Sequence, residues 1–146
     1  MKFINKFKSY NFNSRNNSKI KFIILHYTAL KNTNEAINYL CSKKKSVSCH
    51  YLISQDGLIY NLVSASKRAW HAGVSKWNEQ EDINSQSIGI ELDFSYKHQN
   101  NIFSKKMLIS LENLIIFLKK KYKIKSKNIL GHSDVAPFRK KDPGPN

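Results

Sequence analysis

Phe22-Ile23-Ile24-Leu25-His26-Tyr27 is the stretch on which the fold turns. Successive residues of a strand point to opposite faces, so four apolar side chains in a row imply a strand covered on both sides. We read this strand over 20–27. A second run of the same kind, Ser87-Ile88-Gly89-Ile90-Glu91-Leu92, extends to Phe94. Between them, Thr33 can cap a helix carrying Ala36, Ile37, Leu40 and Cys41 on one side. His50 to Ser54 and Leu58 to Val63 flank Asp56-Gly57, a two-residue hairpin signal. Residues 64–86 read as irregular and polar, apart from Trp70 and Trp77. Ser104 can open a longer helix with an apolar stripe of Met107, Leu108, Leu111, Leu114, Ile115 and Leu118. A short strand, Asn128 to Leu130, precedes a terminal loop. The pattern predicts a single-domain α/β fold with a central mixed β-sheet flanked by helices. Residues 1–18 are a polar segment, expected to be loose or laid over the surface. Residues 19–146 make the domain.

The composition narrows the possibilities. A chain of 146 residues with 40% hydrophobic content suits one core. No apolar run approaches the roughly 20 residues needed to span a bilayer. No signal-peptide stretch follows Lys2, Lys6 and Lys8, so a cytoplasmic location is expected. Cys41 and Cys49 are too few for a disulfide framework and read as buried free thiols. The net charge of +15 would attract polyanions. Its lysines, however, are spread along the chain and not interleaved with aromatic residues, so no nucleic-acid partner is expected.

His26 ends the first strand, His132 follows the last, and Asp142 lies in Asp142-Pro143-Gly144-Pro145. Two imidazoles and a carboxylate form a ligand set for catalytic zinc that leaves a position for water. The alternative is two ordinary hydrogen-bonded histidines. Glu91 is an acid within an apolar strand, which requires either a partner or a task. It reads as a salt-bridged group or as a base toward water. Lys140 would suit an oxyanion.

The blocks carrying these residues are Ile24-Leu25-His26-Tyr27-Thr28-Ala29, Val47-Ser48-Cys49-His50-Tyr51-Leu52-Ile53 and Lys67-Arg68-Ala69-Trp70-His71-Ala72-Gly73-Val74-Ser75. They continue through Ser87 to Leu92, Gly131-His132-Ser133-Asp134-Val135-Ala136-Pro137 and Arg139-Lys140-Lys141-Asp142-Pro143-Gly144-Pro145. Together they resemble the type-2 N-acetylmuramoyl-L-alanine amidases, which share a fold with the peptidoglycan recognition proteins. The resemblance implies one Zn2+ per chain on His26, His132 and Asp142. Glu91 would be the catalytic acid/base and Lys140 would stabilise the transition state. His71 would line the substrate groove beside Trp70, and His50 is either a groove residue or a core histidine. Arg139 is a candidate for a substrate carboxylate, or a plain surface residue. His98 matches no block.

The implied reaction hydrolyses the amide between the lactyl group of (1,6-anhydro)muramic acid and L-alanine. The partner would be a muropeptide or peptidoglycan fragment and the protein a monomer. The resemblance is strongest to the cytoplasmic recycling branch. The alternative is a non-catalytic muropeptide-binding module on the same fold. Family chains commonly run on past Pro-Gly-Pro, so a domain short at its C-terminus is expected here.

Overall fold

The computed structural model describes residues 1–97 and 102–144, which leaves His98 outside the description. Its strands are β1 (Phe3–Ile4), β2 (Phe12–Ser14), β3 (Phe22–Tyr27), β4 (Tyr51–Ile53), β5 (Ile59–Asn61), β6 (Lys67–Ala69), β7 (Lys76–Trp77), β8 (Gln80–Glu81), β9 (Ser87–Leu92) and β10 (Ile129–Gly131). Its helices are α1 (Thr33–Cys41), α2 (Ile83–Gln86), α3 (Lys105–Tyr122) and α4 (His132–Val135). Among the described residues the main sheet has six strands in the order β1-β5-β4-β9-β3-β10. Only β4 and β5, the predicted hairpin, pair antiparallel within it, so the sheet is mixed.

Alternation along β3 and β9, the two six-residue strands, divides the molecule into two faces. Ile23 on β3 and Ile88, Ile90 and Leu92 on β9 pack with Met107, Leu114 and Leu118 of α3. Ile23, Ile88 and Ile90 are wholly removed from solvent, each worth on the order of 2 kcal/mol of hydrophobic stabilisation. On the opposite face, Phe22 and Ile24 pack with Ala72, Ile83, Leu130 and Val135. The remaining β9 residues, Ser87, Gly89 and Glu91, share that second face, since successive strand residues alternate. Every residue of β9 is buried. One face of the sheet is thus a plain apolar core, while the other carries polar groups that need partners.

Helix caps follow simple chemistry. The Ser104 side chain accepts from the Met107 N–H at 3.1 Å, as expected. For α1 the cap is Asn32, not Thr33: its side chain accepts from the Glu35 N–H at 2.9 Å. Thr33 instead turns its hydroxyl to the Asp93 carboxylate. In the hairpin, Gly57 sits at φ 79°, and a Cβ there would press on the Lys106 carbonyl oxygen at 2.8 Å.

Three longer stretches also differ from the sequence expectation, the terminal loop among them because it opens with α4. Residues 1–18 are not loose. β1 pairs with β5 at the edge of the main sheet, and β2 pairs antiparallel with β6. Ser9, Asn11 and Arg15 are buried. The Ser9 hydroxyl donates to the Leu40 carbonyl, and the Asn11 amide donates to those of Ser42 and Val47. The Arg15 guanidinium donates to the carbonyls of Ala65, Asn84, Ser85 and Ser87. Polar side chains can be buried when backbone acceptors await them, and a sequence does not show where those acceptors lie. For the same reason the 64–86 stretch is more regular than expected: it contains β6, β7, β8 and α2. Among the described residues no helix is long and apolar enough to cross a membrane.

Candidate metal centre and its cavity

The parallel register sets His26 of β3 directly beside Glu91 of β9, at the C-terminal ends of both strands. β10 runs parallel to β3 on its other side and delivers His132 as the first residue of α4. The loop carrying Asp142 is tied back by the Ser133 N–H, which donates to the Asp142 carbonyl at 2.8 Å. Three atoms then converge. His26 Nδ1 lies 3.0 Å from His132 Nδ1 and 3.0 Å from Asp142 Oδ2, and His132 Nδ1 lies 3.1 Å from the same oxygen. Donors held tetrahedrally at zinc distances of about 2.0–2.1 Å stand about 3.3 Å apart. The triangle is close to that size, and these three residues could hold a metal ion.

The outer nitrogen of His132 identifies which of its atoms faces inward. Nε2 lies 3.0 Å from the Ala72 carbonyl. A carbonyl can only accept, so Nε2 carries the proton and Nδ1 presents its lone pair to the triangle. Burial favours the neutral form of His26, His50 and His71. His26 is pushed down to about 4 by burial, against the opposing hydrogen bond to Asp142. His50 is pushed down to about 3 by burial and then by the charge of Arg15. At Asp142, burial pushes the carboxyl up, but the hydrogen bonds to His132 and His26 outweigh it and hold it below the usual range.

These shifts predict acid sensitivity. A histidine whose folded pKa lies below its unfolded value of about 6.5 favours the native state above that value, and this advantage is lost as the pH falls toward the folded pKa. For the metal-free protein, His26 and His50 should each cost about 1.4 kcal/mol of stability per pH unit below about 6.5. Urea unfolding at pH 7, 6 and 5 should show a steadily falling midpoint. A constant midpoint would mean these rings are not held neutral in the fold.

Glu91 is 9% exposed, and its Oε2 has no hydrogen-bond partner among the described residues. No ion pair reaches it there either, so the salt-bridge reading has no support. Burial, then the negative charge of Asp142, push it up to about 8, while Lys140 opposes them. Glu91, Lys140, His26, His71 and His132 line one cavity of about 310 Å³, together with Tyr27 and Tyr39.

Three residues expected at a substrate groove are engaged elsewhere. His50 is 0% exposed and is not among the residues lining the cavity. Its Nδ1 accepts from the Gly89 N–H at 3.0 Å, leaving Nε2–H to donate to the Lys67 carbonyl at 2.9 Å. It joins strand to loop, in keeping with the core-histidine alternative. Trp70 also lies outside the cavity lining, and its indole N–H donates to Asn13 Oδ1 at 3.1 Å. Arg139 directs Nη2 to the carbonyls of Ala72 at 2.7 Å and Val74 at 2.9 Å, and lines a neighbouring cavity of about 920 Å³ with Trp77 and Phe138. The sequence reading missed Asn84, Ser87 and Arg15, which hold the loop and strand behind the triangle. Nothing in their local pattern marks them, because each works through a distant backbone or ring.

Fold and triangle together define an α/β protein whose mixed sheet carries, among the described residues, one His/His/Asp group that could hold a metal ion. The chain belongs to the N-acetylmuramoyl-L-alanine amidase family, whose model matches residues 16–145. It is 35% identical over 140 residues to the N-acetylmuramoyl-L-alanine amidase AmiD of Escherichia coli strain K12, covering 87% of this chain and 50% of that one. It is 42% identical over 99 residues to the 1,6-anhydro-N-acetylmuramyl-L-alanine amidase AmpD of Haemophilus influenzae, covering 67% and 52%. The chain therefore spans about half the length of these curated relatives. A crystal structure of an AmpD derivative superposes with a TM-score of 0.84 at 26% identity, covering 99% of this chain and 87% of that one. The E. coli AmiD complex with anhydro-N-acetylmuramic acid-L-Ala-D-gamma-Glu-L-Lys gives 0.78 at 31% identity, covering 96% and 57%.

Proposed function

We propose that this chain is a zinc-dependent amidase that hydrolyses the amide between the lactyl group of (1,6-anhydro)muramic acid and L-alanine of the stem peptide. The observation that carries this reading is that His26 and His132, two members of the triangle with Asp142, line one cavity with Glu91 and Lys140. Zinc held by His26, His132 and Asp142 would supply Lewis acidity at neutral pH. A dication beside Glu91 would favour its ionised form, against the burial that otherwise raises its pKa.

Glu91 is the general base in this scheme. Its carboxylate takes a proton from the attacking water as the new C–O bond forms. It returns that proton to the alanine nitrogen as the C–N bond breaks. Lys140 sits on the same cavity wall, and its ammonium stabilises the negative charge that develops on the attacked carbonyl oxygen. The net charge of +15 favours an anionic muropeptide as partner. Residues 19–146 act as the amidase domain, working as a monomer on wall fragments in the cytoplasm.

Zinc analysis of the purified chain, paired with release of stem peptide from 1,6-anhydro-muropeptide with and without chelator, tests the reading. One zinc per chain and chelator-sensitive cleavage at the lactyl amide are expected. Bound zinc without cleavage would replace the amidase with a muropeptide-binding module.

A further inference from the structure

Behind the triangle, the dipeptide His71–Ala72 supports both imidazoles in two different ways. Asn84 Oδ1 accepts from both of its backbone N–H groups, at 3.1 Å from His71 and 2.8 Å from Ala72, which fixes its place. The Ala72 carbonyl takes the Nε2–H of His132. The His71 ring does the corresponding task for His26: its Nδ1 lies 3.0 Å from His26 Nε2, and its Nε2 lies 3.0 Å from Ser87 Oγ. Gly89 makes room for this ring, since a Cβ there would overlap its atoms.

The two supports are not equivalent. A carbonyl only accepts, so His132 is locked with Nδ1 bare. A neutral imidazole both donates and accepts, and a serine hydroxyl does too, so the Ser87–His71–His26 chain runs equally well in either direction. Without a cation, the His26 Nδ1 proton is wanted inside the triangle, where Asp142 Oδ2 and the bare His132 Nδ1 both stand 3.0 Å away. His26 Nε2 then accepts from His71 Nδ1–H, and His71 Nε2 accepts from the serine hydroxyl. With a cation the triangle needs the lone pair of His26 Nδ1. The proton must then be on Nε2, donating to His71 Nδ1, while His71 Nε2–H donates to Ser87 Oγ. One proton on each ring satisfies the contacts at both of its nitrogens in either state.

We infer that His71 is a positioning residue whose hydrogen-bonded chain from Ser87 to His26 reverses direction when the site takes up metal. Both rings exchange an Nδ1 proton for an Nε2 proton, and none is gained or lost overall. A hydroxyl terminus is what permits the reversal; a carbonyl in its place would lock His26 as Ala72 locks His132. The inference rests on the metal site of the proposed function but needs no turnover.

The test combines ring ¹⁵N chemical shifts of the metal-free and zinc-loaded protein with zinc affinity measured by chelator competition. His26 and His71 should both pass from the Nδ1–H to the Nε2–H form on zinc binding, while His132 stays Nε2–H in the metal-free protein. His71→Ala should weaken zinc binding on the order of 10–100-fold, the range for lost outer partners of metal-bound histidines. His71→Asn should stay within a few-fold of the parent, because its amide can turn either oxygen or N–H toward His26. An unchanged proton position on His26 overturns the inference, and so does a parent chain that takes up no zinc. Equal zinc affinity in parent and His71→Ala also overturns it. His71→Asn as weak as His71→Ala would reduce the ring to packing. Should His71→Ala not fold, the chemical shifts of the parent still decide. Cleavage is not among these readouts: zinc uptake with reversal but no amidase activity would remove the amidase alone, and amidase activity without reversal would remove the relay alone.

Discussion

Glu91→Gln is expected to lower turnover of 1,6-anhydro-muropeptide on the order of 10²–10⁴-fold, the range for loss of a positioned general base, while one zinc per chain remains bound. The amide has the shape of the carboxyl but cannot take a proton from water at neutral pH. The substitution should also be structurally mild. Glu91 Oε2 holds no partner among the described residues, so no hydrogen bond from that oxygen is lost. Its neighbours on the sheet, His26 on β3 and Leu52 on β4, keep their register through backbone contacts. Steady-state kinetics and metal analysis of the same preparation check this. Turnover near that of the parent would remove Glu91 from the mechanism, and loss of zinc would recast it as a support of the metal site.

His132→Ala should abolish both properties together. The substitution removes one of three atoms that lie 3.0–3.1 Å from one another, so the remaining pair could not enclose a cation. Loss of an outer partner alone costs 10–100-fold in metal affinity, so loss of a ligand should exceed about 100-fold. It also strips the Ala72 carbonyl of the N–H it receives at 3.0 Å. Arg139 still donates to that carbonyl at 2.7 Å, which should keep the loop in place and the protein folded. Competition against a chelator, with circular dichroism as the folding control, reads the outcome. A folded variant that retains stoichiometric zinc would show that the triangle is not the metal site.

The two substitutions separate what lies on the sheet from what the loops bring to it, and the legibility of the sequence divides in the same place. β3, β9, the Asp56-Gly57 hairpin and α3 were readable because each satisfies a local rule: an apolar run, a turn dipeptide, or a stripe with a cap. Burial on two faces is written directly into Phe22-Ile23-Ile24-Leu25. Of the two expectations for the N-terminal segment, loose or laid over the surface, the first fails because Ser9, Asn11 and Arg15 look solvated until their acceptors are known. Those acceptors lie as many as 72 positions away, as for Arg15 and the Ser87 carbonyl.

By itself the sequence determined the α/β class, the strands and helices at its centre, and the kinds of residue from which a metal site could be built. Tertiary structure alone decided that His26 and Asp142, 116 positions apart, bring their atoms within 3.0 Å. It also decided that His50 and Arg139 serve backbone carbonyls instead of lining the cavity beside Glu91. The reason is physical. Hydrophobic periodicity is a local response to solvent and can be read from neighbouring residues. Which donor meets which acceptor depends on the path of the whole chain across the sheet, and no short stretch of sequence contains that path.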